Sequence, residues 1–184
     1  RLCVAESQTL NCRCGAVAMA VSGEPFLSID CLCTSCRTAG AVLEALPGAP
    51  PLLDAHGATR LLLYRKDKAV CTRGHAHLKE HRLKPTSPTR RVVATCCNTP
   101  LFLDFTKGSW IDLYGTAWGE AEPPRATMRL MVGDLPNGSA LPNDLPNHKG
   151  RPLSVFAKVF GAWVAMGFRV PRLDYVQGIV EPVA

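Results

Sequence analysis

Short apolar runs separated by turn residues dominate the first two thirds of the chain. They predict strands over residues 16–21, 61–64, 91–95, 101–105 and 109–114. The first run is closed by the turn Ser22-Gly23-Glu24-Pro25, and a helical turn or two is predicted over 37–46 before the prolines that follow. Many short strands with frequent turns indicate a mainly β domain.

The character of the sequence changes after Glu120. Residues 133–151 are rich in proline, glycine and asparagine, which predicts an extended loop. We therefore divide the chain into a β domain over 1–120 and a C-terminal extension over 121–184.

The extension contains an almost wholly apolar stretch at about 152–168, where Pro152 suits a first helical position and Gly167 a C-terminal stop. A helix that is apolar all round packs on more than one side, so we expect it to contact the core or a second copy of the chain. It is shorter than a membrane span and contains Lys158, so no membrane span is predicted.

Composition narrows the class of protein. The 184 residues are 47% hydrophobic and 20% charged, which excludes a mainly disordered or fibrous chain. The net charge of +6 favours anionic partners. Tyr64 is the only aromatic residue in the basic segment 60–91, so a base-stacking surface is not indicated and nucleic acid is not expected as a partner.

Nine cysteines are the unusual feature of the composition. An odd number does not suit a fully paired disulfide framework, and the opening Arg1-Leu2-Cys3 does not read as a secretory signal. We expect a reducing, cytoplasmic environment, in which clustered cysteines indicate metal or redox chemistry.

The spacing of the cysteines predicts two zinc ions per chain. Thiolates one or two residues apart can converge on one ion at small entropic cost. The clusters are Cys12-x-Cys14, Cys31-x-Cys33-x-x-Cys36 and the adjacent pair Cys96-Cys97.

The run Cys31, Cys33 and Cys36 supplies three ligands within six residues. Three protein ligands with one exchangeable position are typical of a catalytic zinc. The alternative is a closed structural zinc with Cys71 or a histidine as the fourth ligand.

Cys12 and Cys14 supply half of a second, structural site, which Cys96 and Cys97 would complete. Adjacent side chains on a strand point to opposite faces, so both can reach one ion only if the chain turns sharply there. A vicinal disulfide, a site with three sulfurs and a redox-sensing pair are the alternatives.

The remaining candidate groups have simpler interpretations. Arg37 follows the second cluster directly and could bind a substrate carboxylate, or lie at the surface. Cys3 and Cys71 have no partner spacing, which predicts small buried residues or free thiols. The histidines are interpreted as solvated or structural, because zinc has softer ligands available: His56, His75, His77 and His81.

These motifs resemble the glutathione-dependent formaldehyde-activating enzyme family, which includes centromere protein V. The resemblance covers about residues 8–115 and rests on Cys12-x-Cys14-Gly15, Cys31-x-Cys33-x-x-Cys36-Arg37 and Cys97-Asn98-Thr99-Pro100-Leu101-Phe102. The family usually reads C-x-x-C-G-T before the last segment. Here Ala94 and Asn98 replace its first cysteine and its glycine, which makes the chain a divergent member.

The resemblance implies a small zinc-stabilised β domain of several sheets (Mss4-like), with a structural zinc on the first and last cysteines and a second zinc on the central run. It also implies a carbon–sulfur lyase that reversibly joins a thiol such as glutathione to formaldehyde. The alternative hypothesis is a zinc-stabilised binding module whose basic face contacts nucleic acid or a protein.

Overall fold

The protein is described by a computed structural model for residues 7–137 and 139–180. The mainly β prediction is confirmed, with a short C-terminal helix. The strands are β1 (Ser7–Asn11), β2 (Ala18–Ser22), β3 (Leu27–Cys31), β4 (Thr59–Arg65), β5 (Ala69–Arg73), β6 (Leu78–His81), β7 (Thr89–Ala94), β8 (Thr99–Phe105), β9 (Trp110–Tyr114), β10 (Met128–Leu130) and β11 (Asn147–His148). The α-helices are α1 (Thr34–Glu44) and α2 (Leu153–Ala165).

The strands form two sheets. The small sheet has the order β1-β2-β5, and the large sheet has the order β11-β10-β3-β4-β9-β8-β7-β6. The large sheet is antiparallel from β3 to β6 and parallel where β10 joins β3 and β11 joins β10.

The large sheet is covered on both faces because its central strands are apolar on both sides. Leu62, Phe102 and Leu113 lie in a core shared with residues of the small sheet such as Met19. The opposite face packs against the helices, since Leu43 of α1 belongs to a second core. The molecule is therefore layered as small sheet, large sheet and helices.

The C-terminal extension contributes to the large sheet as well as to the helical layer. Within it, β10 pairs with β3 in the register Leu130↔Cys31. The Cys31 end of β3 is thus held between β4 on one side and a strand of the extension on the other.

Helix α2 lies within the predicted apolar stretch and packs on one side only. Val155 and Ala162 are buried, whereas Leu153, Phe156 and Phe160 are exposed. The contact with the core is present, and a contact with a second copy stays a prediction. Within the described residues, no helix is long and apolar enough to cross a membrane.

Candidate metal centres and an adjoining cleft

The structure brings together the four sulfurs that we assigned to a structural zinc. The Sγ atom of Cys12 lies 3.6 Å from those of Cys14 and Cys96. The Sγ atoms of Cys96 and Cys97 are 4.0 Å apart, and all four lie within 4.8 Å of one another. We call this group the four-cysteine cluster.

Two turns build this cluster. Cys12 and Cys14 lie in the turn between β1 and β2, and Cys96 and Cys97 lie in the turn between β7 and β8. The second turn places Asn98 in the left-handed region at φ 52°, a conformation that asparagine tolerates. The sharp turn that two adjacent cysteines need to face one point is therefore present.

The surroundings of the cluster supply donors to its sulfurs. The Val17 backbone N–H donates to Cys12 Sγ at 3.3 Å, and Thr99 Oγ1 lies 3.0 Å from Cys97 Sγ. Burial opposes ionisation of Cys97, but hydrogen bonds from Thr99 and Cys14 outweigh it and lower its pKa to about 6. The site therefore favours negative charge on Cys97, whereas burial and the neighbouring thiols raise the pKa values of Cys12 and Cys96.

The donor set fits zinc. Zinc–thiolate bonds of about 2.3 Å in a tetrahedron place neighbouring sulfurs about 3.8 Å apart. Three of the six separations, at 3.6 to 4.0 Å, bracket that value, and all six are within 4.8 Å. The spacing of the four sulfurs is therefore compatible with a zinc ion.

The second group, the three-cysteine cluster, lies where β3 meets α1. Cys31 ends β3, Cys33 is the N-cap of α1, and Cys36 is in its first turn. Their sulfurs lie within 4.8 Å of one another, and all three residues are buried. In the described part of the chain, no other cysteine, histidine or carboxylate belongs to this group.

The start of α1 stabilises thiolate charge in the three-cysteine cluster. The Cys36 backbone N–H donates to Cys33 Sγ at 3.3 Å, as a helix N-cap requires. Hydrogen bonds from the Cys31 and Cys36 thiols and from this N–H lower the pKa of Cys33 to about 2, and the charge of Arg151 adds to them. The shared hydrogen bonds and burial raise the pKa values of Cys31 and Cys36, so the negative charge is concentrated on Cys33. Three soft sulfurs within reach of one point fit a zinc site with three protein ligands.

A cleft of about 560 Å³ adjoins the three-cysteine cluster. Its walls are mainly apolar, and α2 forms part of the rim with Val155 and Phe156. Four charged side chains that the sequence did not single out also line it: Arg91, Asp112, Asp134 and Arg151. The four-cysteine cluster belongs to the other core and does not line the cleft.

Asp112 is a buried carboxyl group in this cleft. Burial raises its pKa to about 7, against the hydrogen bond from Trp110 and the charges of Arg151 and Lys66. No sequence motif marks it, because its neighbours come from β4 and β8 through the sheet register Leu63↔Asp112↔Leu103.

The structure places Arg37 away from the lining of the cleft. Its Nη1 donates to the Asp134 carbonyl at 3.4 Å, and its side chain also lies beside Gly57. Its role as a substrate contact stays a prediction, and Arg91 and Arg151 are the arginines that line the cleft.

The other candidate ligands lie outside both clusters. Cys71 lies on β5 of the small sheet and is buried in the core shared with the large sheet, and Cys3 lies outside the described residues. His75 Nε2 is 3.0 Å from the Cys71 carbonyl oxygen, and His81 is buried at the end of β6.

The fold and the two clusters define a mainly β protein with two sulfur-rich candidate metal sites. The model of DUF6151, a family of unknown function, matches residues 4–117, and the chain belongs to this family. A crystal structure of a Rhodobacter sphaeroides protein is similar, with 15% sequence identity and a TM-score of 0.43, over 63% of this chain and 92% of that chain. No curated protein gives a significant match. Membership of the formaldehyde-activating family stays a prediction.

Proposed function

We propose that the chain is a zinc-dependent enzyme of the carbon–sulfur lyase type, which reversibly adds a thiol to formaldehyde or another small electrophile. The observation that supports it most directly is the position of Cys31, Cys33 and Cys36 at a cleft of small-molecule size. Glutathione as the thiol and the cytoplasm as the location belong to the same proposal.

The three-cysteine cluster would hold the ion, and β3 and the first turn of α1 fix the positions of its sulfurs. A bound zinc ion supplies Lewis acidity, which stabilises a thiolate near neutral pH or polarises a carbonyl group. With three protein donors, one position of a tetrahedral site is left for a substrate atom.

Asp112 would act as the general base and general acid of the reaction. When a thiol adds to a carbonyl, a carbon–sulfur bond forms, the carbon–oxygen π bond breaks, and the thiol proton ends on the former carbonyl oxygen. A carboxyl group with a pKa of about 7 can accept that proton and return it at neutral pH. Breakdown of the adduct uses the same steps in reverse.

The apolar walls would limit the amount of water around the reacting groups once a substrate fills the cleft. Leu61, Leu103 and Leu130 line the cleft beside the cysteines. A low-dielectric surrounding strengthens the interaction between the bound thiolate and its electrophile, and it limits competing hydration of the aldehyde.

The alternative of a basic binding face has less support. Within the described residues, Arg60, Lys66, Arg82 and Arg90 of the basic segment form ion pairs with acidic side chains. The charges of these four side chains are therefore compensated by acidic neighbours, which leaves fewer free cations on the segment to contact a partner.

The test measures zinc per chain and thiol addition to formaldehyde in the reduced wild type and in Cys33→Ser. We expect two zinc ions per wild-type chain, and loss of one ion together with the activity in the variant. Cys71→Ser is the matched control, since Cys71 is also buried but belongs to neither cluster. It should retain both ions and full activity.

Two results would count against the proposal. One is a wild-type chain that holds two zinc ions and does not accelerate the exchange between thiol, formaldehyde and adduct. The other is a Cys33→Ser variant that is as active as the wild type.

A further inference from the structure

Two adjacent arginines of β7 differ in how their charges are satisfied. Arg90 donates to Glu80, to Asp104 and to the Leu173 carbonyl, so each of its nitrogens has an acceptor. Arg91 is 2% exposed, and among the described residues it donates only from Nη2, to the Ser35 carbonyl at 3.3 Å.

The Arg91 guanidinium is left short of acceptors. Its Nε is buried without a hydrogen-bond partner, and no acidic side chain within residues 7–137 or 139–180 forms an ion pair with it. An arginine stays charged in proteins, and a buried guanidinium with unpaired donors is costly even where thiolates lie nearby, since none of the described sulfurs accepts a hydrogen bond from it. Unpaired donors of this kind are expected where a ligand provides the acceptors.

The sheet register places Arg91 on the face that carries the cleft. Arg91 pairs with Leu103, and Leu103 pairs with Asp112, so the three side chains form one row across β7, β8 and β9. All three line the cleft that contains the cysteines. The Ser35 carbonyl that Arg91 contacts belongs to the first turn of α1, which fixes the guanidinium close to the three-cysteine cluster.

We propose that Arg91 binds the carboxylate of the substrate, and that the substrate is a monocarboxylate with an apolar body. A guanidinium presents parallel donors that match the two oxygens of a carboxylate. The apolar body would lie against Trp110, Leu103 and Val155, which line the same cleft. The assignment rests on the proposed function, because it takes the cleft as the substrate site.

The apolar lining of the cleft distinguishes the carboxylate substrate from glutathione. Glutathione is a polar peptide and would leave the apolar walls poorly covered, so in this account it serves at most as the thiol that joins the carboxylate substrate. The exposed Arg151 at the same cleft can attract the anion before Arg91 binds it.

The test is calorimetric titration of the reduced, zinc-loaded full chain with sodium octanoate and, separately, with 1-octanol. The two probes share an apolar chain and differ in charge. We expect octanoate to bind the wild type and Arg91→Met to weaken it about ten- to a hundred-fold, the effect of losing one charge-assisted contact. Binding of 1-octanol should be the same in both proteins.

Phe160→Ala is the control for adsorption, since Phe160 is exposed on α2 and does not line the cleft. It should bind octanoate as the wild type does. If Arg91→Met does not fold, Arg91→Lys replaces it, and an intermediate loss is expected because the charge remains but the fork does not.

Octanoate binding that is unchanged in the Arg91 variants, or equal affinity for octanoate and 1-octanol, would overturn the assignment. The test of this inference can fail independently of the test of the proposed function. If the chain binds two zinc ions and adds a thiol to formaldehyde, but octanoate binding does not depend on Arg91, this inference alone is rejected. Arg91-dependent octanoate binding in a chain without thiol addition supports the carboxylate site and rejects the lyase chemistry.

Discussion

The two cysteine clusters use the same ligand chemistry in opposite settings. The four-cysteine cluster joins two turns that are 84 residues apart in sequence, as measured between Cys12 and Cys96. The three-cysteine cluster comes from six consecutive residues at the junction of β3 and α1. The first lies beside the core between the two sheets, and the second lines a cleft.

This difference indicates that the four-cysteine cluster stabilises the fold and the three-cysteine cluster takes part in the proposed reaction. A metal that links distant turns closes a long loop, so its binding free energy contributes to folding. A metal held by one local segment closes only a short loop and adds less to stability. With three sulfurs, it can also accept an outside ligand. The fold therefore depends on one cluster, and the proposed reaction depends on the other.

The largest expected effect is on stability. Cys12→Ser should cost several kcal/mol, enough to unfold a domain whose total stability is about 5–15 kcal/mol. Cys36→Ser, also a buried cysteine, should cost only about 1–2 kcal/mol. Urea denaturation of zinc-loaded protein followed by circular dichroism measures both, and equal losses would remove the distinction between the clusters.

The next effect is on the rate. Asp112→Asn preserves the shape of the side chain but cannot accept a proton, so we expect a loss of about 10²–10⁴-fold in thiol addition to formaldehyde. The zinc content should remain at two ions per chain. An Asn variant with wild-type rate would show that Asp112 does not handle the proton.

A smaller effect is the dependence of stability on pH. Burial raises the pKa of Asp112 to about 7 in the folded chain, above the unfolded value of about 3.9. Between these values the folded state binds more protons than the unfolded state, so the contribution of this group to stability falls as pH rises from about 4 to about 7. It is flat outside that window.

The matched comparison uses the Asn variant across the same range. The free energy of unfolding of Asp112→Asn minus that of the wild type should increase as pH rises from about 4 to about 7, by at most about 1.4 kcal/mol per pH unit. If the difference between the two free energies of unfolding stays constant from about pH 4 to about pH 7, the pKa of Asp112 in the folded chain is not raised into this range.

The smallest effect concerns the polar groups around each cluster. Thr99→Val removes a hydroxyl that contacts Cys97 Sγ and accepts from the Arg13 N–H, and should cost about 1–2 kcal/mol with weaker zinc retention. Asp134→Ala removes an exposed acceptor of the Thr34 N–H at the start of α1, and should cost about 1 kcal/mol or less. Thermal unfolding against a zinc chelator ranks the two.

Much of the fold could be predicted because its signals are local. The apolar runs around β4, β7, β8 and β9 marked those strands to within a few residues, and proline and glycine marked α2. Six strands of two to five residues were not predicted: β1, β3, β5, β6, β10 and β11. Strand β3, which ends at Cys31, has all five of its residues buried and so lacks the alternation that marks a strand.

The cysteine groups could be found by spacing, since ligands that close short loops lie near one another in sequence. The polar residues of the cleft could not. Arg91 reads as one more cation of a basic segment, and Asp112 as one polar residue in an apolar strand. The pairing register of β7, β8 and β9 brings these two side chains into the same cleft, and the sequence does not show this register. The contribution of the C-terminal extension to the cleft was also not predicted, because α2 forms part of the cleft rim.

The most direct test of the account is the coordination of zinc in the three-cysteine cluster. Anomalous scattering at the zinc edge, measured on crystals of reduced, zinc-loaded protein, should show two ions per chain. We expect the ion on Cys31, Cys33 and Cys36 to have a fourth position that opens to the cleft and is not filled by the polypeptide. A single ion on the four-cysteine cluster, or a protein side chain in that fourth position, would contradict it.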